Sequence, residues 1–151
     1  MMNVFDITRT TRKNVLKTIE ELSVQQLNKI PEGHKNNIIW HVGHILATQQ
    51  LLTYGVTNTE MLVSMHLIED FRKGTEPYKP ALKEDIEDIK QILTEVIDRT
   101  EEDYNQSVFS DYEDYTTSYG VTLHSLEEAI IFNNVHEALH LGIIMTMKKL
   151  V

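Results

Sequence analysis

His136 and His140 stand four residues apart in the run Val135-His136-Glu137-Ala138-Leu139-His140-Leu141. On a helix this spacing stacks two imidazoles one turn apart on one face, with ~5–6 Å between Cβ atoms, close enough to grip one cation. A second pair, His41 and His44, follows Trp40 far away in sequence and offers a third imidazole. The pattern points to a divalent metal ion held between helices by His44, His136 and His140. Each of these lies among apolar residues, where an unsatisfied polar group costs ~1–3 kcal/mol, and one ion satisfies all three. Three protein ligands leave part of the shell to water or substrate, as in catalytic rather than structural sites. An ion so held lowers the pKa of a bound water or thiol. Imidazole ligation suits Zn, Ni, Fe or Co without choosing among them.

The remaining histidines divide by context. His41 precedes His44 by three residues and shares its face; it is read as a rim or supporting residue, with a ligand role as the alternative. His34 falls in a loop, His66 in an irregular connection and His124 at the start of the last helix, all read as surface or capping residues. His136-Glu137-x-x-His140 also matches the zincin signature, in which the glutamate is a general base. The eleven residues after His140 hold no further His, Glu or Asp, which disfavours a metalloprotease. Glu137 is therefore expected to be a surface charge some 100° away from His136, with a base or supporting role as the alternative.

Four long helical runs must position these groups. Val4, Ile7, Val15, Ile19 and Leu22 define the first, followed by a short turn opened by Ser23 and Gln26. Asn36 or Asn37 caps the second, whose stripe is Trp40, His44, Ala47 and Leu51; Gly43 inside it suggests close approach of another backbone, and Gly55 ends it. Residues 58–80 read as a long crossover with one or two helical turns. Leu82, Ile86, Ile89, Leu93, Val96 and Ile97 mark the third run. A tyrosine-rich acidic stretch, 105–119, reads as a loop or a short strand. The last helix carries Leu123, Leu126, Ala129, Ile130, Asn133, His136, His140, Ile143, Ile144 and Met147, with Ser125 and Glu128 as a capping box. The expected fold is all-α: a single domain over 1–151, an antiparallel four-helix bundle with a long crossover between helices 2 and 3.

Composition narrows the function further. A net charge of −9 argues against nucleic acid, whose binding draws on clustered Lys and Arg. With no cysteine, disulfides and thiolate ligands are excluded. No apolar run approaches the ~20 residues of a membrane span, and the N-terminus has no basic region leading into an apolar one. A soluble, cytoplasmic protein without nucleic-acid or membrane partners is expected.

Three blocks carry a resemblance that spans essentially the whole chain. Asn37-Ile38-Ile39-Trp40-His41-Val42-Gly43-His44-Ile45, Phe71-Arg72-Lys73-Gly74-Thr75 and His136-Glu137-Ala138-Leu139-His140-Leu141-Gly142 resemble the DinB-like superfamily, which includes YfiT-type proteins. The resemblance implies a four-helix bundle, commonly a homodimer, with a His triad on a divalent metal (Zn, Ni or Fe). Carried over by position, the triad is His44, His136 and His140. It also implies an activity, because some relatives are transferases that conjugate a low-molecular-weight thiol such as bacillithiol to an electrophile. The alternatives are a hydrolase using metal-activated water, and a metal-binding or interaction bundle without turnover. Tyr54, Tyr78, Tyr112, Tyr115 and Tyr119 are candidate pocket residues, and no residue is assigned a catalytic role.

Overall fold

Side-chain oxygens of Asn3, Ser23, Asn37, Ser64 and Ser125 each accept a backbone N–H from the first turn of the helix that follows, satisfying donors that have no partner within the helix. In this computed structural model, which describes residues 3–151, these caps open α1 (Val4–Ile19), α2 (Val24–Asn28), α3 (Ile38–Gln50), α4 (Met65–Phe71) and α6 (Leu126–Met147). The remaining helix, α5 (Lys83–Asn105), starts with the Asp85 carboxylate accepting the Leu82 N–H. The chain is mostly helical, as the spacing of its apolar residues predicts.

Helix α3 does not end as an ordinary α-helix. It runs on through a π-helical turn, Leu51–Gly55, in which the Val56 N–H reaches the Leu51 carbonyl five residues back. Gly55 closes this turn, so the expected boundary stands and its geometry is new. Between α5 and α6 the acidic stretch forms a small hairpin: β1 (Tyr115–Thr116) pairs antiparallel with β2 (Thr122–Leu123), Tyr115 opposite Leu123. Leu123, expected on the last helix, is thus a strand residue, and its buried side chain packs beside Leu52 and Ala129.

Helix α1 packs on α5 and α6, and α3 packs on the same two helices. Val15, Ile45, Leu46, Leu93, Ile144 and Met147, all fully buried, form the centre of the shared core. The α5 stripe of Ile86, Ile89, Leu93, Val96 and Ile97 is buried as expected, whereas Leu82, expected to head it, is the exposed N-cap. Helix α1 is rotated from its expected face. The residues it buries are Phe5, Thr8, Thr11, Arg12, Val15 and Ile19, while Ile7 is exposed. The positions Phe5, Thr8, Arg12, Val15 and Ile19 alternate by three and four without a break, whereas the apolar letters alone leave a gap between Ile7 and Val15.

Capping of α6 differs in one detail. Ser125 Oγ accepts from the Glu128 N–H, but the Glu128 carboxylate takes the His124 N–H, one residue earlier than a capping box requires. Among the described residues, no helix is long and apolar enough to cross a membrane.

Candidate metal centre

Helices α3 and α6 bring four imidazoles together. The rings of His136 and His140 lie 4.5 Å apart between centroids, His44 and His140 4.8 Å, and His44 and His136 5.1 Å. One nitrogen from each of His44, His136 and His140 lies within 4.8 Å of the others, a cluster that could hold a metal ion. His41 is also close, with its Nδ1 2.9 Å from His140 Nδ1. His34, His66 and His124 stay outside the cluster on exposed positions, His66 beside Asp70 and His124 beside Asp114.

The ring of His44 is held on three sides. Trp40 stacks on it at 4.6 Å with planes 11° apart. Its Nδ1 lies 2.7 Å from the Phe71 carbonyl, which can only accept, so Nδ1 carries the proton. The lone pair of His44 is therefore on Nε2, which faces His136 Nε2 at 3.3 Å and Thr48 Oγ1 at 3.3 Å. Gly43 makes this possible: a Cβ there would lie 2.5 Å from the Phe71 ring. The expected close approach at Gly43 is real, but what approaches is an aromatic ring rather than a backbone.

One edge of the donor set has the spacing of ligands on a divalent ion. Two nitrogens on a tetrahedral ion at 2.0–2.1 Å sit about 3.3–3.4 Å apart, which the His44–His136 separation of 3.3 Å matches. His136 Nδ1 is buried without a hydrogen-bond partner among the described residues. His41 and His140 are joined Nδ1 to Nδ1, so when His140 is the donor its Nε2 lone pair is left free. Burial holds the rings neutral, the form a metal needs: it lowers His41 and His136 to about 4 and His140 to about 2, with the neighbouring imidazoles adding to the effect. His44 is lowered by the same burial, and its bond to the Phe71 carbonyl opposes the shift.

Glu137 is not a surface charge. It is fully buried in a bidentate pair with Arg12, Nη2 to Oε1 at 2.7 Å and Nε to Oε2 at 3.1 Å. Asn133 Nδ2 donates to the same carboxylate at 2.7 Å, and Arg12 Nη1 donates to the Leu93 carbonyl at 2.8 Å. Both carboxylate oxygens are engaged by Arg12, one of them also by Asn133, and the group is fully buried and does not line the cavity beside the histidines, so the zincin assignment fails on geometry. The contact instead ties α6, beside its two histidines, to α1 and α5. Arg12 is legible in the sequence only through its place in the three-four stripe of α1.

A cavity of about 290 Å³ opens onto His44, His136 and His140. Leu51, Leu52, Phe132 and Leu139 wall it, and the hairpin adds Tyr115 and Tyr119. Of the other tyrosines, Tyr54 is buried and donates to Asp103 at 2.7 Å, while Tyr78 and Tyr112 line separate cavities.

The model of the DinB superfamily matches residues 7–144, nearly the full length of the chain. The chain belongs to the DinB superfamily. The fold is also similar to that in the crystal structure of a conserved protein from Enterococcus faecalis, with a TM-score of 0.69 and 15% identity, covering 98% of this chain and 94% of that one. At that identity the likeness concerns the fold alone. No curated protein matches the sequence.

Proposed function

We propose that this DinB-superfamily protein is a metal-dependent transferase that joins a low-molecular-weight thiol, of the bacillithiol type, to a small electrophile, with His44, His136 and His140 holding the ion. The observation that carries the reading is the convergence of three imidazole nitrogens within 4.8 Å at the floor of a cavity. The ion, when bound, supplies the pKa depression that turns a thiol into thiolate near neutral pH. The chain's own part is to hold three neutral nitrogens, fix the His44 tautomer through Phe71 and enclose the electrophile between α3, α6 and the hairpin.

One feature favours thiol transfer over hydrolysis. No Asp or Glu lines the cavity, and Glu137 is engaged elsewhere, so water would find no carboxylate base there. A thiol, with a pKa of ~8.5 against 15.7 for water, needs that help least. We further read the long helices α1, α3, α5 and α6 as an antiparallel bundle with α4 in the crossover. The exposed Ile131, Val135 and Leu139, spaced by four on α6, support a homodimer whose face would adjoin the cavity that Val135 and Leu139 also line.

Elemental analysis of untagged protein tests the site, and thiol-dependent loss of monochlorobimane tests the reaction. About one ion per chain, lost in His44→Ala, His136→Ala and His140→Ala alike, is expected. Full metal content in any of these variants removes that residue from the centre. Turnover that needs metal but no thiol would replace transfer by hydrolysis.

A further inference from the structure

The cavity beside the histidines has an unusual charge for this chain. The sequence holds 23 Asp and Glu against 14 Lys and Arg, yet no carboxylate lines the cavity and Lys73 is the one side chain there with a full charge. Lys35 and Lys90 pair with Glu76 and Glu87; Lys73, like the other lysines, has no ion-pair partner among the described residues, and it is the lysine that lines this cavity.

The loop that carries Lys73 is fixed on both sides. Before it, the Phe71 ring sits against Gly43 and the Phe71 carbonyl accepts from His44. After it, Trp40 Nε1 donates to Thr75 Oγ1 at 3.0 Å, and the Thr75 hydroxyl reaches the carbonyls of Asp70 and Arg72 at 2.8 Å each. Gly74 turns the chain between these anchors with φ +91°, a conformation a side chain would resist. The backbone thus holds a solvated ammonium beside a chamber walled by Leu51, Leu52, Phe132 and Leu139, whose other polar groups, the histidines, Thr48, Thr117, Ser118 and the two tyrosines, carry no full charge.

We propose that the electrophile this cavity takes is a small apolar or aromatic molecule bearing a carboxylate, with its anion at Lys73 and its body against Leu51, Leu52, Phe132 and Leu139. An apolar chamber gains from burying a hydrocarbon body, while a strongly polar thiol would lose hydration against the same walls. The assignment rests on the transferase reading for the word electrophile; the charge selection itself needs no ion.

The test is calorimetric titration of 4-phenylbutyrate and the matching amide into metal-free and zinc-loaded protein. We expect the acid to bind about fivefold tighter than the amide in both forms, the upper scale of one exposed charge pair. Lys73→Gln should abolish that preference without changing zinc content, and Lys73→Arg should keep it. Equal binding of the two probes, binding of neither, or a preference that survives in Lys73→Gln overturns the proposal. A preference present only with zinc and indifferent to Lys73 would place the carboxylate on the ion and also overturn it. Tighter binding of glutathione than of 4-phenylbutyrate, lost in Lys73→Gln, would move the contact to the thiol. Failure to bind zinc would sink the transferase reading, while the metal-free comparison still decides the role of Lys73.

Discussion

Arg12 and Glu137, 125 residues apart, form a bidentate ion pair with 1% and 0% of their side chains exposed. Removing one partner of such a pair strands the other charge in low dielectric. Glu137→Ala is accordingly expected to lose about 3–5 kcal/mol of stability, read by denaturant unfolding. Replacing both members with apolar residues, Arg12→Met with Glu137→Leu, should return most of that loss. A variant that keeps its stability and loses only rate would revive the general-base role.

Gly43 and Phe71 make the second prediction. In Gly43→Ala the new methyl would meet the base of the Phe71 ring, which cannot swing aside without moving the carbonyl that holds His44. Overpacking of this kind costs about 1–3 kcal/mol. Thermal melting should register that cost, and zinc titration should show weaker binding; unchanged affinity would mean that the Phe71 carbonyl does not position His44.

His41 separates support from ligation. As the hydrogen-bond partner of His140 it should, when replaced by Ala, weaken zinc affinity by about 10–100-fold and leave one ion per chain at saturation. Loss of stoichiometric zinc from His41→Ala, together with its retention in His136→Ala, would exchange the two residues in the centre.

Much of this was legible in the sequence, and the failures share a cause. Where apolar letters mark the buried face, as on α5 from Ile86 to Ile97, periodicity sufficed. It fails on α1, because that face is completed by the buried polar residues Thr8, Thr11 and Arg12, and the partners of Thr8 and Arg12 lie on other helices. Glu137 departs from its expected surface position for the same reason: it does point away from His136, but toward Arg12 rather than solvent. The i,i+4 histidines were readable because helix geometry alone joins them. The roles of Phe71 and Lys73 depend on a loop folding back over α3, which no local spacing encodes.

The lowered histidine pKa values give a signed pH dependence. A buried neutral imidazole binds fewer protons folded than unfolded, so the stability it contributes is fully present above the ordinary 6.5 and is lost as pH falls toward about 4 for His41 and His136. Each contributes a slope of ~1.4 kcal/mol per pH unit within that window. Melting of metal-free protein between pH 7.5 and 4.5 should therefore show a midpoint that falls below pH 6.5. Zinc affinity of the folded chain should stay nearly flat over the upper part of that range, where an exposed histidine site would already be losing its ion to protons. A steep fall in affinity at pH 6.5 would show rings that titrate as if in water.

Trp40 is the one tryptophan in the chain, and its indole lies flat on the His44 ring and edge-on to His41. Emission excited selectively at the indole thus comes from a single chromophore whose nearest neighbour is part of the candidate centre. The protein carries its own optical gauge of occupancy: loading, stripping and ligand entry can be followed by fluorescence in the unlabelled, unmodified molecule.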